Sequence, residues 1–344
     1  MTGNNNRNTV SFIVIGKNEG EHLPSCFAAI EAIKREWNDV IIETIYVDSK
    51  STDNSVYLAS ENPTVDTVIE LRGTVNAAIA RNTGAERAMG AILCFIDGDM
   101  VVNKRLIMVV RSVIQGTNLF ASGRVIDVSV SAERQPEQHE PEVHKLKDTR
   151  EARTGGLFVI DSALWKSIGG MRTIFKRSQD LDLALRLSKA GHLLLRYREI
   201  VAHHYTVPYD DNNRFLEDLI AGNFLYHGLL VRKNFLNGFT HREYLKSYTS
   251  AALLLILAAI SVVRGEWNLL FVYPLLVVLR VLVRKAYPGI FLRTALQQVI
   301  VDISFLLGYF FFFPSENSKR YEMVTRKDGS KIVAANSHSD RQHA

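Results

Sequence analysis

Short apolar runs separated by polar turns occupy the chain up to about residue 240; beyond residue 248 the runs lengthen and nearly lose their charges. The run 10–15 predicts a first strand, and 23–33 follows with Leu23, Phe27, Ile30 and Ile33 at helical spacing. Residues 41–47 predict a second strand, ending in Asp48-Ser49-Lys50-Ser51-Thr52-Asp53, with a capped helix beginning near Thr52 or Asp53. Residues 67–71 predict a third strand, 76–89 a helix and 91–96 a fourth strand. Strands alternating with helices argue for an α/β domain on a mostly parallel sheet with flanking helices. Further on, 181–190 predicts a helix with Leu181, Ala184, Leu185 and Leu187 on one side and Gly191 ending it. Residues 129–153, polar and charged with Pro136 and Pro141, are either a loop over a site or a solvated insertion.

The later pattern is different. Residues 248–263 carry no charge, 267–283 only Arg280 and 296–313 only Asp302. A helix that spans a bilayer needs roughly 17–25 apolar residues, so these segments predict C-terminal transmembrane helices, two or three of them. Buried helices of a second domain are the alternative, kept open for the third segment by Gln297, Gln298 and Asp302. Just before them, 214–231 predicts an interfacial helix with Phe215, Leu219, Phe224 and Leu225 among its apolar positions. The expected organisation is a polar tail over 1–9, the α/β domain over 10–213, an interfacial segment over 214–247, a membrane region over 248–314 and a polar basic tail over 315–344.

Charge sets the expected sidedness. Arg232, Lys233, Arg242 and Lys246 precede the first apolar segment, and Arg284, Lys285 and Arg293 follow the second, in the positive-inside sense. Residues 1–8 are polar and offer no export signal, so the α/β domain is expected in the cytoplasm of a cell bound by an inner membrane. The tail from Ser315 holds six Lys/Arg against four Asp/Glu. Three crossings would leave it outside, and a re-entrant third segment would keep it inside; both remain open. The formal net charge of +5 over 344 residues comes without zinc-finger spacing, an aromatic RNA-binding signature or a basic heptad region, so a nucleic-acid partner is not expected. Basic residues flanking apolar segments suit anionic lipid instead. Cys26 and Cys94 sit in apolar surroundings and predict small buried side chains in a reducing compartment.

Candidate chemistry begins where the fourth strand ends. Asp97-Gly98-Asp99 delivers two carboxylates at the C-terminal end of a strand, the edge at which open α/β sheets bind ligands. Two acids around a tight glycine can hold a hard divalent cation with the phosphates it bridges, or simply make a turn.

Five blocks in order, 11–19 (Ser-Phe-Ile-Val-Ile-Gly-Lys-Asn-Glu), 46–53 (Tyr-Val-Asp-Ser-Lys-Ser-Thr-Asp), 80–84 (Ala-Arg-Asn-Thr-Gly), 97–99 and 179–183 (Gln-Asp-Leu-Asp-Leu), resemble family 2 glycosyltransferases of the GT-A fold over about residues 10–235. The resemblance implies Glu19 and Asp48 at strand ends, accepting bonds from ribose or base. It implies Arg81 at a diphosphate or a neighbouring acid, Asp97 near the sugar or ribose, and Asp99 as principal ligand of Mn2+ or Mg2+. Asp180 becomes the base that takes the acceptor proton in an inverting transfer, while Asp182 is expected to cap or pair locally. A histidine near the diphosphate or metal is implied as well, with His203 placed ahead of His204. Gly155-Gly156 and Gly169-Gly170 resemble acceptor-side segments or serve turns. Two departures stand out: Ser49 and Lys50 replace the acid and glycine usual after Asp48, and the processive Gln-x-x-Arg-Trp pattern is absent, so one sugar per encounter is expected. Transfer from a nucleotide-sugar to a lipid-linked or glycan acceptor follows, in exopolysaccharide or other envelope-glycan assembly beside its machinery. A polyprenyl-phosphate glycosyltransferase and an inactive membrane scaffold are the alternatives.

Overall fold

A computed structural model describes residues 8–129, 146–206, 212–244, 247–283, 291–315 and 321–326. The chain divides into two compact units, one made of residues 1–211 with 316–344, the other of 212–315.

The first unit is built on β1 (Thr9–Gly16), α1 (Leu23–Glu36), β2 (Ile41–Asp48), α2 (Ser55–Glu61), β3 (Thr67–Leu71), α3 (Ala77–Arg87), β4 (Ile92–Asp97), β5 (Met100–Val102), α4 (Leu106–Ile114), β6 (Phe120–Ser129), β7 (Thr149–Glu151), β8 (Phe158–Asp161), α5 (Ser162–Ser167), α6 (Gln179–Lys189) and β9 (Leu194–Thr206). Parallel strands β3-β2-β1-β4 form the half of the sheet that the alternating pattern predicted, and β8, β6, β9 and β5 extend it with antiparallel pairings apart from the parallel β6–β9 pair. Both faces of β1 are buried: Phe12 and Val14 join the core under α1 and α4, while Ile13 and Ile15 join the core with α3 and α6. That is why its sequence is almost continuously apolar, as parallel strands covered on both sides are. Asn76 caps α3 by accepting from Ile79 N at 2.8 Å. Gly191, at φ +89°, ends α6 in the left-handed region that a glycine adopts without penalty.

The tail contributes one further strand. β10 (Tyr321–Arg326) pairs antiparallel with β3 and closes that edge of the sheet. The sequence expectation of a plain polar tail overlooked it, although edge strands need only a short alternating run. Residues 130–145 of the expected loop lie outside the described residues.

The second unit holds α7 (Asn212–Ile220), α8 (Leu225–Lys233), α9 (Gly238–Tyr244), α10 (Thr249–Arg264), α11 (Val272–Val283) and α12 (Phe291–Phe310). The interfacial helix expected over 214–231 is two helices, broken where Gly222 takes φ +68°. Helices α8 and α12 meet at glycines: a Cβ on Gly228 would stand 2.1 Å from Phe305 O, and one on Gly308 2.0 Å from Leu225 O. Only hydrogens fit between these backbones. The polar residues that interrupt the apolar runs find partners inside the unit. Buried Asp302 accepts from Tyr273 Oη at 2.9 Å and Gln298 Nε2 at 2.8 Å, and Arg280 Nη2 donates to Ser247 O at 2.8 Å.

The expected transmembrane helices find no support in these lengths. Among the described residues no single helix is long and apolar enough to cross a membrane; α9 and α10 together pass by length and composition, but they bend by 99° at their junction. At 1.5 Å per residue, α10 with its 16 residues and α11 with its 12 fall short of the ~30 Å hydrocarbon core.

Candidate active site

Register brings the first three acids to one sheet edge. Gly16 lies level with Asp48, and Ile15 level with Asp97, so β1, β2 and β4 end together. The two loops that follow β1 and β2 are sewn to each other. Asn18 Oδ1 accepts from Thr52 N at 2.8 Å, Asn18 N donates to Ser51 Oγ at 2.8 Å, and Gly20 N donates to Asp53 Oδ2 at 2.9 Å. Asp48 is part of this stitching. Its oxygens accept from Ser51 N, Ser51 Oγ and Tyr46 Oη, and the residue is only 2 % exposed. It organises the turn between β2 and α2.

Glu19, Asp97 and Asp99 crowd together beyond that edge. Burial and the charges of Asp99 and Asp97 push the Glu19 carboxyl up to about 7. Gly98 makes room: a Cβ there would meet Glu19 Cγ at 3.2 Å. Asp97 is held from behind by Arg81, whose side chain is almost wholly buried and whose Nη2 donates to Asp97 Oδ1. The neighbouring acid is thus one partner that Arg81 has in the structure. Gly156 backs the other oxygen so closely that a Cβ would fall 1.9 Å from Asp97 Oδ2. No side chain is accommodated there, which assigns this glycine a packing reason that spacing alone had left as a turn.

Asp99 faces β9. Its Oδ2 lies 3.0 Å from His204 Nε2, and His204 Nδ1 lies 2.7 Å from Asp127 Oδ1 on β6. Adjacent residues of a strand point to opposite faces, so the placement of His203 ahead of His204 is corrected: His204 is the histidine against the acid. The two carboxylates hold the imidazole proton and raise its pKa to about 9 against the opposing effect of burial. Asp127 was missed in the sequence.

Asp180 reaches the same cluster from α6. Burial raises its pKa, the Arg81 charge lowers it, and Asp97 raises it again, so Asp97 and Asp180 share Arg81 as a common electrostatic neighbour. The helix enters through Ser178 at φ +65°, a left-handed conformation costing a non-glycine residue roughly 1–2 kcal/mol. Asp182 does what local pairing predicted: fully buried, it binds Arg172 Nη1 at 3.0 Å and Arg186 Nε at 2.9 Å. Arg186 also donates to Ile168 O and Gly170 O, and Asn82 exchanges bonds with Met171 N and Met171 O. The Gly169-Gly170 turn is thus strapped to both α3 and α6.

Residues 11–177 match the family model described as Glycosyl transferase family 2. Over that stretch, just under half of its length, the chain resembles a family 2 glycosyltransferase domain. This glycosyltransferase is 25 % identical over 211 residues to Glycosyltransferase AglE of Haloferax volcanii, a match covering 59 % of this chain and 68 % of that one. Its fold resembles the mannosyltransferase PcManGT of Pyrobaculum calidifontis in complex with GDP-Man and Mn2+ (TM-score 0.54, 16 % identity, 88 % of this chain and 87 % of that one). It also resembles S. aureus TarS 1–349 in complex with UDP-GlcNAc (TM-score 0.50, 12 % identity, 95 % and 99 % covered).

The acids of the glycosyltransferase fit a divalent cation. Asp99 Oδ1 is buried with no hydrogen-bond partner among the described residues, a costly state for a carboxylate oxygen and one a cation relieves. Among the described residues no three His, Cys, Asp or Glu side chains form a complete cage. Two protein ligands suffice where substrate phosphates and water supply the rest.

The raised carboxyl and imidazole make a pH prediction for the metal-free protein. Glu19 binds its proton more tightly folded, at about 7, than its ordinary 4.5. Its stabilisation is complete below 4.5 and is lost as pH rises through 7. His204 behaves alike between its ordinary 6.5 and about 9. In EDTA the unfolding temperature is expected to fall across this span, with Glu19→Gln removing the lower part of the slope. A wild-type slope identical to that of Glu19→Gln between pH 5 and 7 contradicts the assignment.

Proposed function

We propose that the enzyme transfers one sugar from a nucleotide-sugar donor to a hydroxyl of a membrane-associated, lipid-linked acceptor, with inversion at the anomeric carbon. The observation that carries this reading is the gathering of Asp97, Asp99 and Asp180 around Arg81 and His204 at one sheet edge. Asp99 and His204 would hold Mn2+ or Mg2+, whose chemistry when bound is to offset negative charge on the departing nucleoside diphosphate. Asp180 takes the proton of the acceptor hydroxyl as its oxygen forms a bond to C1 and the bond from C1 to the diphosphate oxygen breaks. Burial raises the basicity of Asp180 for this task, and the Arg81 charge opposes that rise. Arg81 fixes Asp97 toward the donor sugar or ribose. Glu19, beside these acids at the sheet edge, can accept from the nucleoside through its carboxyl oxygens. A hydroxyl acceptor is favoured over a lipid phosphate because a phosphate needs no base.

Location at a membrane is part of the same proposal. Among the described residues, all of the exposed large apolar side chains except Ile41, Tyr57, Met89 and Met108 belong to residues 212–315, including Val263, Trp267, Phe271, Leu292 and Phe311. A surface of that kind suits lipid. Pairing of β10 with β3 supports the arrangement in which the tail and the catalytic unit share the cytoplasmic side, with apolar helices that enter the bilayer and return. Exopolysaccharide or envelope-glycan assembly is a fitting setting.

The test is release of nucleoside diphosphate by the purified full-length chain, across a panel of nucleotide-sugars, with lipid vesicles and either Mn2+ or EDTA. Release is expected for one donor class, only with metal, and only when the vesicles carry a lipid-linked sugar. Product formed on polyprenyl phosphate alone favours the phosphate-acceptor alternative; no turnover with any donor favours the scaffold.

A further inference from the structure

Asp127 lies outside every sequence block that marks the family, yet it touches His204, the histidine against Asp99. The register of the parallel β6–β9 pair sets Asp127 directly opposite His204, and β5 flanks the other side of β9 with Met100 opposite the same histidine. The imidazole is therefore clasped at both nitrogens, Nδ1 by Asp127 at 2.7 Å and Nε2 by Asp99 at 3.0 Å. A histidine binds a metal through a nitrogen that carries no proton, and the bond made by its other nitrogen decides which one that is.

We propose that Asp127 is a positioning residue for the cation site: by accepting the Nδ1 proton it fixes the ring and the tautomer of His204, leaving Nε2 to face the cation beside Asp99. This rests on the reading of Asp99 and His204 as cation ligands. A purely structural role predicts something else. With half of its side chain exposed (52 %), an Asp127–His204 pair serving stability alone contributes little, and leaves Mn2+ affinity unchanged when it is removed.

The experiment titrates the full-length protein with Mn2+ alone, reading free Mn2+ by electron paramagnetic resonance, for wild type, Asp127→Ala, Asp127→Asn and Asp99→Asn. Asp127→Ala is expected to weaken Mn2+ binding about 10–100-fold, the usual effect of losing an outer partner of a ligating histidine. Asp127→Asn keeps an oxygen acceptor and should recover most of that affinity. It also serves should the alanine variant fold poorly. Wild-type affinity in Asp127→Ala, with binding abolished in Asp99→Asn, overturns the proposal and leaves the cation site standing. Equal binding by wild type and Asp99→Asn overturns the cation reading and the proposal with it.

Discussion

Asp180→Asn is expected to lower kcat by about 10²–10⁴-fold, the range over which a positioned general base contributes, while Mn2+ and donor affinity stay at wild-type values. The amide keeps the shape of the carboxylate and can still accept from the backbone N–H groups of Asp180 and Leu181 at the start of α6, so the helix should fold as before. What it loses is the ability to bind a proton. Donor hydrolysis should fall along with transfer, since water attacking C1 must also lose a proton. Asp182→Asn provides the contrast. That carboxylate is fully buried between Arg172 and Arg186, and breaking such a pair costs about 3–5 kcal/mol. Its effect should be read in the unfolding temperature, with kcat of the folded enzyme little changed. Single-turnover transfer and thermal unfolding of both variants separate the two acids. Near wild-type kcat in Asp180→Asn would remove the base from the mechanism.

The local pairing of Asp182 was legible from the chain because it depends on local structure: a helix whose first turn carries the acid, with Arg186 one turn after it. The strands β1, β2, β3 and β4 were legible for the same reason, each being a short apolar run between polar turns. Asp127 was not. Its contact spans 77 positions and depends on the β6–β9 register, which shifts twice between Ser122 and Val125. No count along the sequence reproduces such a shift. The choice between His203 and His204 failed for a related cause, since strand alternation separates them but only the neighbouring strands show which face holds Asp99. The bonds that Asp48 makes to its own turn were not legible, because they depend on how the hydroxyls of Ser51 and Tyr46 are placed around the strand end. The apolar helices exposed the limit of composition. Runs without charge announce burial, in lipid or in protein, and their length as helices appears only when the chain breaks at residues such as Gly222 and Gly265.

Asp99→Asn should remove most of the activity, about 10²–10³-fold by analogy with deleting one electrostatic stabiliser of a departing anion. The same change should erase the thermal stabilisation by Mn2+. A ligand at about 100 times its Kd stabilises the state that binds it by about 2.7 kcal/mol, so the wild-type unfolding temperature should rise with Mn2+ and that of the variant should not. A second signature lies at Glu19. Asp99 is the foremost charge holding that carboxyl up, after burial itself. Without it the Glu19 pKa moves back toward the ordinary carboxylate range, and the fall of metal-free stability between pH 5 and 7 should flatten. The buried, unpartnered Oδ1 of Asp99 links these effects: an acid kept in that state beside two others is poorly satisfied until a cation arrives. If Asp99→Asn retains both the Mn2+-induced rise and the slope, the cation lies elsewhere and the role given to the edge of β4 fails.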